Sequence, residues 1–340
     1  RYATPNRRGR GHAIAAPRKE LTMIRLTRRS FLQAAVATTL VARHVPASAP
    51  AAEGPKRKFP LCLNCGQIGV RATPMEAVRL AKGHGYGAVT PMTWAIGKMK
   101  PDELAGLLAA MKAAGLAWGA TGIGPFFDAD EARFKDRVAK IAEDAKVLQR
   151  AGVTRSFTWV ANHSNDRTYR ANFRLHVERT REVGKLLADH GVRIGLEYLG
   201  TKSMAMKGRY PFVQTLAEMK ELTEETRLDS VGIALDAWHW FQAGDTEQDI
   251  RTLTNRQAVC ADICDAPAGV PKHQLPDSPR RLPCTTGVID LRGFLRGLVA
   301  IGYDGPLGTE PFDKTLRTLP AEKALQTATD AMNKALALLG

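Results

Sequence analysis

Four acidic residues close four apolar runs in the second half of the chain. The runs end Gly195-x-Glu197, Ala234-x-Asp236, Cys260-x-Asp262 and Gly308-x-Glu310. Each acid follows a small residue by two positions, the period of a β-strand, so both point to the same side. Leu196, Leu235, Ala261 and Thr309, between them, face the other way. Four carboxylates delivered into one low-dielectric cup repel one another strongly. A bound cation relieves that repulsion, and an oxygen-only shell of Glu197, Asp236, Asp262 and Glu310 suits Mg²⁺ or Mn²⁺, with Co²⁺ or Zn²⁺ as alternatives. For any single acid, pairing with Arg or Lys is the competing reading. His239 follows Asp236 by three residues in "ALDAWHW". The plain reading of that position is a helix-start histidine packed between Trp238 and Trp240.

The elements that must deliver these acids alternate along the chain. Short β-like runs occur at 60–64, 88–91, 117–122, 155–160, 192–198, 231–236, 258–264 and 306–310. Helical patterns separate them, several opened by Thr, Pro or acids and closed by Gly, as in "TPMEAVRLAKGHG" and "PDELAGLLAAMKAAG". Further helices are expected over 165–190, 211–226, 245–253, 290–301 and 321–339. Strand–helix alternation implies a parallel sheet, and eight repeats suggest an α/β fold of the closed (β/α)8 TIM-barrel type. In a barrel, alternate strand residues point inward, so the four acids converge on the C-terminal mouth. A doubly wound open sheet is the alternative, but no Gly-x-Gly-x-x-Gly follows a strand and opens a helix.

The first 52 residues read differently. Thr27-Arg28-Arg29-Ser30-Phe31-Leu32 resembles a twin-arginine export signal. An apolar stretch, 31–42, and a small-residue segment, 46–52, follow in the expected order. The apolar stretch is too short to span a bilayer. Met23 is a plausible start, which would make 1–22 upstream sequence. The expectation is export to the periplasm or another extracytoplasmic space. The domain plan is thus 1–52 as upstream segment and signal, and 53–340 as a single barrel. The chain carries a formal +15, and its first 52 residues hold ten Lys/Arg and one Glu. The mildly basic remainder does not call for a nucleic-acid partner. Cys62-x-x-Cys65 admits a redox or zinc reading, but no second pair has matching spacing. A disulfide or plain buried thiols are the expectations for the five cysteines.

From about Lys58 to Leu339 the chain resembles the xylose isomerase-like TIM-barrel family of sugar phosphate isomerases and epimerases. The stretches that carry the resemblance are "GLEYLG", "ALDAWHW", "DICDAP", "RRLPCTTGVIDLRGFL" and "IGYDGPLGTEPF". It implies one divalent metal held at Glu197, Asp236, Asp262 and Glu310, with His239 on the substrate side and Arg280 as the basic residue before the "LPG" turn. Two departures stand out. Asp262 occupies a position where the family has His or Gln, and "LPGEG" has become Leu282-Pro283-Cys284-Thr285-Thr286-Gly287. The implied chemistry is proton transfer beside a carbonyl through an enediolate, with Glu197 and Glu310 as the proton-handling pair. The expected activity is therefore metal-dependent isomerisation or epimerisation of a sugar or sugar phosphate. A dehydratase or lyase acting on an inosose- or shikimate-type ring and a non-catalytic sugar-binding protein are the alternatives. His163, Trp159, Trp94, Arg209 and Asp265 join Arg280 as expected substrate contacts, and Lys202 and Lys207 share the basic loop of Arg209. The multi-zinc DNA-repair branch of the superfamily needs more histidines at the mouth than this chain supplies. The expected partner is a small-molecule sugar, with no nucleic acid and no membrane in the mature form. A homo-oligomer stays open.

Overall fold

The structure, a computed structural model, describes residues 56–127 and 130–340. The expected export motif lies outside these residues. Eight strand positions form the scaffold: β1 (Cys62–Leu63), β2 (Ala88–Val89), β3 in two pieces (Ala117–Trp118 and Thr121–Gly122), β4 (Arg155–Val160), β5 (Arg193–Tyr198), β6 (Val231–Asp236), β7 (Ala258–Ile263) and β8 (Leu307–Thr309). Each pairs in parallel with the next. A parallel bridge from Leu61 to Leu307 joins the first strand region to the last and closes the ring. This is the expected (β/α)8 barrel. The early strands are shorter than the sequence pattern suggests. The break in β3 falls at Gly119, where an added Cβ would collide with the Cys62 sulfur.

The helices follow their caps. Pro74–Gly83 opens on a Thr73–Glu76 capping box, and Pro101–Ala114 and Glu131–Ala151 stop at left-handed Gly115 and Gly152. Two expectations shrink. The helix expected over 165–190 runs from Tyr169 to Asp189: beside the antiparallel ribbon of His163–Ser164 with Tyr210–Pro211, Asn165 Oδ1 accepts from the Arg209 amide at 3.1 Å, and Ser164 Oγ accepts from the Asp166 and Arg167 amides. The one expected over 245–253 is a single turn, Glu247–Ile250. Asp245 is unavailable to it, since its carboxylate accepts from Tyr198 Oη at 2.8 Å and the Leu216 amide at 3.0 Å.

The main core lies between strands and helices and includes Tyr198, Trp238 and Phe294. Inside the ring a separate small cluster joins Ala120, Ala234 and Cys260, with Phe157 against it. A Cβ on Gly195 would come within 2.9 Å of the Ala234 backbone nitrogen, so only glycine fits there. These small residues sit one inward-facing row below Glu197, Asp236 and Asp262 and leave the cup above them open. The five cysteines are all free thiols, four of them buried, so no disulfide forms. Burial pushes Cys62 up to about 12 and Cys65 up to about 11, which leaves both as inert thiols at neutral pH. Among the described residues, no helix is long and apolar enough to cross a membrane.

Candidate active site and metal centre

The register explains how the acids meet. Glu197 on β5 pairs with Trp159 on β4, which places that tryptophan beside it at the mouth, 41% exposed. Asp236 ends β6 and pairs with Asp262 on β7. Asp262 in turn pairs with Gly308 on β8, not with Glu310. Asp262 Oδ1 fills the space that a Cβ on Gly308 would need, so the glycine is the seat of that carboxylate. Glu310 stands two residues after Gly308, just past the end of β8 and one row above.

Asp236 has two tasks. Its Oδ1 accepts from the Trp238 amide at 2.8 Å and caps the short helix Ala237–Ala243. That cap turns His239 inward, where it is 2% exposed. Its Oδ2 accepts from Arg280 Nη1 at 2.6 Å. The same nitrogen donates to Glu310 Oε2 at 3.1 Å. Arg280 Nη2 reaches Asp277 Oδ1 at 3.2 Å and lies 3.3 Å from His239 Nε2. Trp238 and Phe312 cover the guanidinium, their ring centres 5.3 Å and 4.7 Å away. The backbone at Phe312 is left-handed, φ 41°, which costs a side-chain-bearing residue about 1–2 kcal/mol. The second oxygen of Glu310 accepts from Gln67 Nε2 at 2.6 Å.

The electrostatics follow from crowding. Glu197 is held well above the usual carboxylate range by burial first, then by Asp236 and Glu310. Asp262 is raised for the same reasons, with Glu310 and Asp236 its charged neighbours. Glu310 is pushed up to about 7 by burial, against the pull of Arg280. Burial and then Arg280 push His239 down to about 3, so its imidazole is neutral at physiological pH. Burial works against the charge of Arg280, but its acidic partners outweigh it and the group stays cationic.

Among the described residues one group has metal-ligand geometry: Glu197, Asp236 and His239, with ligand atoms all within 4.8 Å of one another. The set fits a divalent cation, offering two carboxylates and an imidazole whose Nε2 lone pair faces Arg280 Nη2 in the metal-free protein. Of the four acids expected as ligands, this group holds two, Glu197 and Asp236. His239, expected on the substrate side, joins Glu197 and Asp236. Asp262 and Glu310 lie outside the group, because the strand register sets Asp262 against Gly308 while Glu310 is engaged by Gln67 and Arg280.

The other expected contacts disperse. Asp265 is fully buried and accepts from four backbone amides, those of Ala266, Thr286, Gly287 and Ile289, at 2.7–3.1 Å. It shapes the 282–289 loop and has no oxygen left for substrate. Arg280 lies within the carboxylate cluster, not beyond it. His163, in the ribbon, occupies the space that a Cβ on Gly208 would need, and Arg209 is exposed over the Tyr210 ring at 5.1 Å. Trp94, 71% exposed, lines a cavity of about 720 Å³ with Asn64, Thr90, Thr93 and Thr121 at the ends of the first three strands. Gln67, Asp277 and Phe312 escaped the sequence reading. Asp277 and Phe312 lie close in sequence to Arg280 and Glu310, but Gln67 has no signal, being 243 residues from the carboxylate it holds.

The fold and this cup define a member of the xylose isomerase-like TIM-barrel family: the family model matches residues 78–335, and the chain belongs to that family. Among characterised relatives, inosose isomerase of Bacillus subtilis is 28% identical over 147 residues, 43% of this chain and 50% of that protein. The 3-dehydroshikimate dehydratase of Pseudomonas putida is 28% identical over 166 residues, 48% of this chain and 24% of the relative. The chain thus spans half or less of the length of the relatives it matches. A xylose isomerase domain protein from Alicyclobacillus acidocaldarius superimposes with a TM-score of 0.71 at 27% identity, covering 82% of this chain and 99% of that one. The IolI protein, solved with a bound zinc atom, gives a TM-score of 0.70 at 20% identity over 82% of this chain and 98% of that one.

Proposed function

We propose that this protein is a divalent-metal-dependent isomerase or epimerase acting on a sugar or related polyhydroxy ketone. The observation that carries the reading is the convergence of Glu197, Asp236 and His239 within ligand distance of one another, beside a second glutamate, Glu310. Glu197, Asp236 and His239 would hold the ion, which supplies electrophilic stabilisation of negative charge developing on a substrate oxygen. Glu197 stands on β5 and Glu310 just past β8, so one carboxylate removes the proton next to the carbonyl and the other returns it. Gln67 fixes the orientation of Glu310 for that transfer. Trp159, at the mouth, offers an apolar face for a sugar ring to lie on, and Trp94 offers another at the neighbouring cavity. Inosose isomerase among the relatives supports this reaction class. The dehydroshikimate dehydratase supports the second reading, loss of water from a cyclic keto-polyol by the same initial proton removal.

The test is exchange of the substrate C–H with solvent deuterium. With Mn²⁺ present, a panel of keto-sugars and inososes is followed by NMR in D₂O. Exchange that is lost in Glu310→Gln, with return to an isomer, supports the proposal. Release of water to an unsaturated ketone selects the dehydratase, and no exchange with any member of the panel refutes both. We further propose that the protein is exported through its twin-arginine motif. Cell fractionation with Arg28→Lys/Arg29→Lys would retain it in the cytoplasm.

A further inference from the structure

The donor set for a metal is already in use by a cation of the protein itself. Of the three residues with ligand geometry, Asp236 is bonded to Arg280 at 2.6 Å and His239 faces it at 3.3 Å. Glu310 completes the clasp at 3.1 Å. A carboxylate oxygen in a short charge-assisted hydrogen bond is a weaker ligand, and a buried guanidinium repels a second cation beside it. Nor is Arg280 an incidental visitor. It is 1% exposed and covered by Trp238 and Phe312. It also has somewhere to retreat. Asp277 holds its Nη2 through the carboxylate at 3.2 Å and its Nε through the backbone carbonyl at 3.1 Å, and the Asp277 side chain is 30% exposed, toward solvent.

We propose that Arg280 is a built-in counter-cation that holds the carboxylate cup together in the metal-free protein and exchanges with the divalent ion at Asp236. Metal entry then breaks the Arg280–Asp236 and Arg280–His239 contacts and leaves the guanidinium on Asp277. This inference rests on the metal-site reading above. It makes Arg280 a positioning residue with two opposed effects: it stabilises the empty cup and weakens metal binding.

The experiment uses the full chain stripped with chelator, titrated with Mn²⁺ by calorimetry, for wild type, Arg280→Met and Arg280→Lys. Losing a charge-assisted competitor should tighten Mn²⁺ binding about tenfold or more in Arg280→Met. In Arg280→Lys, which keeps the charge but cannot span Asp236, Glu310 and Asp277 together, binding should tighten by a smaller factor. That separates contact competition from long-range repulsion. The melting temperature of the metal-free form should fall in both variants, and the rise on adding Mn²⁺ should grow. A purely structural arginine would lower stability without tightening Mn²⁺ binding. If Arg280→Met cannot be purified, Arg280→Lys decides the matter. Unchanged or weaker Mn²⁺ binding in the variants overturns the exchange and leaves the metal site standing. Absence of Mn²⁺ binding by all three proteins overturns the metal-site reading, and the exchange falls with it.

Discussion

Acid should destabilise this barrel through a buried histidine that is not part of the carboxylate cup. His176 lies in the middle of the helix Tyr169–Asp189 and is 1% exposed. Its ring stacks on Phe127 at 4.3 Å and tilts against Phe212 at 4.6 Å. Nδ1 donates to the Asn172 carbonyl at 2.8 Å, while the buried Nε2 has no partner. Burial pushes its pKa from 6.5 down to about 4. The folded state thus holds the neutral ring, and the unfolded chain binds the proton more readily. Stability from this group is complete above 6.5 and drains away as the pH falls toward 4. The full shift corresponds to about 3 kcal/mol, of which about 2 kcal/mol is already lost at pH 5. For a body of this size that is a fall of roughly 5 °C in melting temperature. His239 titrates lower still and adds to the acid loss of the wild type, so the comparison must isolate His176. His176→Phe keeps an aromatic ring between Phe127 and Phe212 and cannot be protonated. Urea unfolding of both proteins at pH 7 and pH 5 is the assay. The variant should match the wild type to within about 1 kcal/mol at pH 7, since the lost hydrogen bond is offset by removal of an unpaired buried nitrogen. At pH 5 it should be more stable by about 2 kcal/mol. Equal losses between the two pH values in both proteins would refute the argument that burial keeps this ring neutral.

Other outcomes follow from the same geometry. Asp265→Asn replaces an acceptor of four backbone amides by a group that presents N–H to two of them; it should cost about 2–3 kcal/mol in urea unfolding, and a variant as stable as wild type would return Asp265 to the substrate pocket. Cys284 sits at φ 58°, so Cys284→Gly should relieve left-handed strain and, after the entropy cost of glycine, stabilise by about 0.5–1 kcal/mol, measured by the shift in urea midpoint. Gly308→Ala intrudes on the Asp262 carboxylate and should lower deuterium exchange about tenfold or more, against a smaller loss for Ala at the unobstructed surface position Gly106. The metal-free protein should lose stability as the pH rises from 4.5 through 7, because Glu310 is held protonated to about 7 in the fold; added Mn²⁺ should flatten that slope, seen by thermal melts across the range.

The acids at 197, 236, 262 and 310 were legible because strand alternation is a local rule. A small residue two positions before an acid puts both on one side of a strand wherever the strand sits. Gly caps and capping boxes are local in the same way, which is why the helices Pro74–Gly83 and Pro101–Ala114 emerged as expected. The helices over 165–190 and 245–253 were over-long because the signals that cut them are not local. The first loses its start at Asn165 to the Arg209 amide beside the ribbon, and the second loses Asp245 to Tyr198.

The sequence by itself determined the repeating strand–helix order, the barrel, the family resemblance and the row of carboxylates at the mouth, since each rests on periodicity or on a contiguous motif. Only the tertiary structure decided which of those carboxylates keep company. Barrel stagger seats Asp262 on Gly308 and lifts Glu310 one row above. The cap at Asp236 turns His239 inward to join Glu197. Folding also brings Gln67 across 243 residues and Arg280 across 44 to bond the acids. Register, stagger and loop path are properties of neighbouring strands taken together. No single strand encodes them, and the charge balance of the cup depends on all of them.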